Sequence, residues 1–169
     1  MTILAAIGGE HERDEVVEVG HELAEAYDEE LVALHVMEQD QFEELRESSD
    51  VTTPVVVPGG SQEAGFRYAM SEESLSDYDL EDATDDAAGV AERCVERTLS
   101  EEQRADIAVK GRVGDPETEI IEEADRIDAR YIVVGGRKRS PIGKAIFGSI
   151  SQSIMINSDR PVVALTRNE

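Results

Sequence analysis

The chain has 169 residues, and 39 Asp or Glu against 16 Lys or Arg give it a net charge of −23. A coat this acidic repels phosphodiester backbones and anionic lipid, which excludes nucleic-acid or membrane binding by bulk electrostatics. No apolar run reaches the length of a membrane-spanning helix, and one cysteine, Cys94, excludes an internal disulfide.

The length suits a single domain, residues 1–169. A hydrophobic content of 40% in periodic blocks argues against disorder, and the acids are spread along the chain rather than gathered in a tail. Such a composition fits a salt-rich cytoplasm, where dense carboxylates hold water and the salt screens their repulsion. Met1–Gly9 has neither the basic start nor the long apolar stretch of a signal peptide. With the lone thiol, this makes a cytoplasmic location the expectation. No Cys/His cluster has metal-ligand spacing.

The first apolar run, Ile3–Ile7, does not alternate with polar residues and reads as a strand buried on both faces. Val16, Gly20, Leu23 and Tyr27 then recur at helical spacing. A second strand is expected over Leu31–Val36. From about 38 to 80 the alternation breaks into a polar insert with Pro54, Pro58, Gly59 and Gly60 around Val55-Val56-Val57. A segment this long without an element of its own is either a surface insert or a lid or partner-binding element.

Ala87, Ala91, Cys94 and Thr98 mark the next helix and make Cys94 a core thiol rather than a nucleophile. A short strand, Ile107–Val109, follows. Asp115-Pro116 opens a helix carrying Ile120, Ile121, Ala124 and Ile127, with Asp as N-cap and proline at N1, where no amide hydrogen is needed. The fourth strand is expected over Tyr131–Val134 and a last helix from Ser149 to about Asn157. Ser158-Asp159-Arg160-Pro161 ends that helix before the strand Val162–Leu165. Strand–helix alternation of this kind predicts an α/β, doubly wound parallel sheet with right-handed crossovers. Ligands of such sheets sit beyond the C-terminal strand ends where strand order reverses, which here means after strands one and four.

From Ala129 to Ser158 there is no Asp or Glu, although acids elsewhere exceed one residue in four. A gap of 30 residues arises by chance well under roughly one time in a hundred. The same window holds Arg130, Arg137, Lys138, Arg139 and Lys144, and glycines at Gly135-Gly136, Gly143 and Gly148, the last just before the last helix. Glycines let a ligand approach the backbone, a helix N-terminus offers free amide hydrogens, and Ser149 and Ser151 add hydroxyls. This is a plausible phosphate cradle; a basic loop paired with carboxylates of the same chain or of a partner is the alternative.

Enzyme motifs are lacking: no Gly-x4-Gly-Lys-Ser/Thr, no Gly-x-Ser-x-Gly and no completed Gly-x-Gly-x-x-Gly. Of the three histidines, His35 falls in a buried strand and is expected to be hydrogen-bonded structurally, while His11 and His21 have no nucleophile nearby in sequence. No catalytic residue and no metal site is assigned.

Val133-Val134-Gly135-Gly136-Arg137-Lys138, nine residues, Gly148-Ser149-Ile150-Ser151 and then Asp159-Arg160-Pro161-Val162-Val163-Ala164-Leu165 resemble the C-terminal half of universal stress proteins. Ile3–Gly9, Leu34-His35-Val36 and Gly111–Pro116 resemble the earlier segments of that family, and the chain is similar to its acidic, haloarchaeal type. The resemblance implies a Rossmann-like sheet of order 3-2-1-4-5 of the adenine nucleotide alpha hydrolase type. It also implies a homodimer through Val162, Val163, Ala164 and Leu165, and a pocket for ATP or a related nucleotide, with Mg²⁺ if the phosphates recruit it. Adenine is implied near Ala6, Ile7, Gly8 and Val36. Ribose and phosphates are implied at Gly135, Arg137, Lys138, Gly148, Ser149, Ile150 and Ser151, with Val134 also lining the nucleotide site.

Two positions depart from the nucleotide-binding members of the family. Gly8 stands where they carry Asp, and Lys138 replaces the second motif glycine, either obstructing a phosphate or binding it as a point charge. A regulatory nucleotide-binding dimer that is not an enzyme is the expected function. A dimeric scaffold without nucleotide and a weak ATPase are the alternatives.

Overall fold

The computed structural model describes residues 1–8, 15–49, 78–135 and 148–165. Its elements run β1 (Thr2–Ile7), α1 (Glu15–Tyr27), β2 (Glu30–Glu38), α2 (Gln39–Ser49), α3 (Leu80–Thr98), β3 (Ala108–Gly114), α4 (Pro116–Arg126), β4 (Ala129–Gly135), α5 (Ser149–Asn157) and β5 (Val162–Leu165). The strands form one parallel sheet of order β3-β2-β1-β4-β5, the order that the family resemblance implied.

Period-two alternation divides each central strand between two helical layers. Leu4, Ala6, Val32, Leu34, Ile132 and Val134 face α4 and α5, where Ile120, Ala124 and Ile154 close over them. Ile3, Ala5, Leu31 and Val133 face α1, packing on Val16 and Ala24. Ile7 and Ala33 turn the same way, to Val17 of α1 and to Ala91, Cys94 and Val95 of α3. Every residue of β1 is buried, as a strand covered on both faces requires. Cys94 is a buried core thiol. Among the described residues no helix is long and apolar enough to cross a membrane.

Local chemistry explains where the helices begin. Asp79 and Asp82 form a reciprocal capping box at the start of α3, and Asp115 accepts from the Thr118 amide at 2.9 Å with Pro116 at the first helical position of α4. The helices α1 and α4 each end in an aspartate of positive φ, Asp28 at 54° and Asp128 at 52°, the left-handed residue that reverses the chain into the next strand.

The structure departs from the sequence reading in two places. The insert expected at 38–80 opens with a helix, α2, whose Phe42 is buried against Met37, Ala83 and Ala87. Residues 50–77 lie outside the described residues. The third strand is longer than Ile107–Val109: it runs to Gly114 with Lys110 and Arg112 in its interior. Two cations broke the apolar pattern in the sequence, and both turn toward a buried carboxylate on α4.

Candidate functional site

In this parallel sheet the strand order reverses between β1 and β4, and ligands of such sheets bind in the crevice beyond the C-terminal ends of those strands. Ala6 pairs with Val134 across that boundary, and Val36 lies farther out on β2. The side chains of these three residues belong to one buried apolar cluster on the α4/α5 face. Ile7 differs: its side chain packs on the opposite face with Val17 and Ala91. Only the main chain of Ile7 is left to meet a ligand in the mouth, because neighbouring strand residues face opposite ways.

The far wall is the start of α5. Gly148 is its N-cap, and among the described residues no side chain caps the helix. The amides of Ser149, Ile150 and Ser151 therefore have no partner within the helix, and the dipole adds positive potential. Ser151 is buried, and its hydroxyl donates to the carbonyl of Gly135, the last residue of β4, at 2.6 Å. That bond ties β4 to the first turn of α5 and commits the hydroxyl proton that the sequence had offered to a phosphate. Ser149 and Ile150 are exposed beside it. Arg137 and Lys138 lie outside the described residues. The end of β1 is tied in a similar way: Nδ1 of His35 stands 3.0 Å from the Ile7 carbonyl. A carbonyl can only accept, so Nδ1 carries the proton. His35 thus has the hydrogen-bonded place expected of it.

A second polar centre was not foreseen. Glu123 of α4 is fully buried, and three cations converge on it: Lys110 Nζ at 2.8 Å, Arg112 Nη2 at 2.7 Å and Arg126 Nε at 2.9 Å. Burial alone would push its carboxyl up, but the hydrogen bonds from Arg126, Lys110 and Arg112 outweigh it and hold the pKa at about 2. Arg112 also reaches Glu119 at 3.5 Å and lies in register with Val36. The centre therefore fastens α4 to β3. The available signal in the sequence was the pair Lys110 and Arg112 at alternate positions, which share one face of a strand. Among the described residues no group of three or more His, Cys, Asp or Glu could hold a metal ion.

Comparison with known proteins places this geometry. The universal stress protein family model matches residues 1–166. The stress response protein NhaX of Bacillus subtilis is 43% identical over 67 residues, a match spanning 40% of this chain and 40% of that protein. A universal stress protein solved in complex with cAMP superposes over 99% of this chain and 98% of its own, with a TM-score of 0.58 at 17% identity. The universal stress protein of Archaeoglobus fulgidus, solved in complex with dAMP, covers 98% of both chains with a TM-score of 0.53 at 19% identity. At such identities the two structures speak for the fold alone, whereas the family model runs over nearly the whole chain: this protein belongs to the universal stress protein family.

Proposed function

We propose that this protein binds an adenine nucleotide at the mouth between β1 and β4 and acts as a regulatory homodimer in a salt-rich cytoplasm. The observation that carries this reading is the start of α5. In a chain of net charge −23, the one long acid-free stretch ends on a helix whose first amides are capped by no side chain among the described residues and face the switch point of the sheet. Such amides favour a phosphate, and the buried Ala6, Val36 and Val134 supply apolar surface for a base. The cAMP and dAMP complexes of structural neighbours support an adenine nucleotide as the ligand.

In this reading Ala6, the Ile7 main chain, Gly8 and Val36 meet the nucleoside, while Gly135 and Gly148–Ser151 meet ribose and phosphates. Arg137 and Lys138, which follow β4 in sequence, add positive charge. Gly8 offers no carboxylate to the sugar, so phosphate contacts carry more of the affinity here than in relatives with Asp at that position. The nucleotide is a regulatory ligand rather than a substrate. Mg²⁺ would accompany it only through its phosphates, because the mouth supplies no acidic side chain from the acid-free stretch. The free edge of β5, with Val162 and Ala164 against one layer and Val163 and Leu165 against the other, is the surface for a second copy.

Calorimetric titration with ATP, AMP and cAMP in molar KCl, with and without Mg²⁺, tests the reading. Binding in the micromolar to millimolar range is expected, weakened at least about tenfold by Lys138→Glu through like-charge repulsion. No heat from any of the three at millimolar concentration sinks it.

A further inference from the structure

His35 has a role that its place inside the sheet does not require. Ile7 is the last residue of β1 and pairs in register with His35 on β2. The Ile7 carbonyl closes the β1 side of this ladder, and a side chain that also bonds it fixes the orientation of the last peptide of the strand. His35 is that side chain, with Nδ1 at 3.0 Å from the Ile7 oxygen.

The peptide joining Ile7 to Gly8 is rigid and planar, and the described chain contains no cis bond. The carbonyl of Ile7 and the amide hydrogen of Gly8 therefore point in opposite directions from one plane. Holding the first toward β2 aims the second away from β2, to the side of β1 on which β4 lies. That side is the switch-point mouth. Residue 8 has no side chain to shield its own amide.

We propose that His35 is a positioning residue: by holding the Ile7 carbonyl it presents the Gly8 amide hydrogen to an acceptor atom on the nucleoside part of the ligand. The proposal rests on the nucleotide reading above. His35 itself does not touch the ligand. The effect belongs to the base-and-sugar end, because the phosphate end is read by the separate α5 wall. Loss of the His35 contact therefore costs every adenine compound the same factor, whatever its number of phosphates.

The test compares wild type, His35→Asn and His35→Leu by calorimetric titration with adenosine, AMP and ATP in molar KCl, with a thermal melt of each variant. Asparagine places its amide nitrogen near the position of the imidazole Nδ1, whereas leucine fills the space without a donor. Leucine is expected to weaken all three ligands by a common factor of about five to ten, and asparagine to restore affinity to within about twofold of wild type. Unchanged affinity in His35→Leu overturns the proposal. So does a loss that grows with phosphate number, or a His35→Asn protein that melts like wild type yet binds like the leucine variant.

A second readout needs no ligand. The Gly8 amide resonance should move in His35→Leu and return in His35→Asn, and a resonance that stays put in both overturns the assignment. If wild type binds none of the three compounds, the nucleotide reading fails, and the Gly8 resonance still decides whether His35 sets that peptide.

Discussion

Glu123 shows how one residue can hold a layer in place. A carboxylate at zero exposure is tolerable only when its lone pairs are filled, and Lys110, Arg112 and Arg126 fill them from two elements. Glu123→Ala leaves two strand cations facing an empty site and should cost about 3–5 kcal/mol in urea unfolding. Glu123→Gln keeps the shape and loses the charge, so it should cost less. The pH dependence follows from a folded-state pKa of about 2 against an ordinary 4.5. The unfolded chain binds the proton first, so the stabilisation is complete above about 4.5 and is lost as pH falls toward 2. Asp115, held down by the amide and hydroxyl of Thr118, and Asp128, held down by Arg160, add to the same acid limb. Urea midpoints between pH 5 and 2.5 should fall steeply in wild type and less steeply in Glu123→Gln. Parallel slopes would remove Glu123 from the account.

Among the elements, α3 lies close on β3 at Gly111. A Cβ at Gly111 would overlap the Thr84 carbonyl oxygen and the Ala88 nitrogen, which are helix backbone and cannot swing aside. The alanines Ala83, Ala87 and Ala91 supply the small stripe that lets α3 lie so low. Gly111→Ala should therefore force the helix off the strand and cost at least about 3 kcal/mol. Gly89→Ala offers the contrast, because its new methyl meets only the end of Arg93 at 3.2 Å. There the higher helix propensity of alanine should stabilise by up to about 1 kcal/mol. Urea midpoints of the two variants check both signs.

These elements also show what could be read from sequence. Four strands announced themselves as apolar runs that do not alternate with polar residues, because a parallel strand is covered on both faces. The interior of β3 did not, since its cations answer a glutamate that is distant in sequence. The helix α2 stayed hidden because Gln39–Ser49 offers only Phe42 and Leu45 as apolar residues, too few to show a helical period. At the mouth, the glycines and the start of α5 were legible as local chemistry. The turning of Ile7 to the face opposite Ala6 follows from period-two alternation and was open to a local reading; the engagement of Ser151 with Gly135 and the bond from His35 to Ile7 join residues 16 and 28 positions apart, which no local pattern encodes.

For the whole molecule the governing quantity is charge. Two copies of a chain at −23 repel strongly at low salt, and screening shortens the reach of that repulsion from about 10 Å at 0.1 M to about 3 Å at 1 M. The association proposed for β5 should therefore strengthen as KCl rises. Sedimentation velocity from 0.1 to 3 M KCl should show dimer gaining on monomer, and Val163→Asp should remain monomeric throughout. A wild type that is monomeric at every salt concentration would remove the β5 pairing.

Arg160 holds Asp128 and the Ala129 carbonyl at 2.8 Å and Asp125 at 3.1 Å just after α5 ends, while Ser151 grips Gly135 at its beginning. A helix of nine residues, about 13 Å long, is thus fastened at both ends before any guest arrives. The consequence is kinetic. On the nucleotide reading proposed above, α5 itself would have little to assemble on contact, so capture of a phosphate by its first turn would be timed by diffusion and orientation rather than by a movement of that helix.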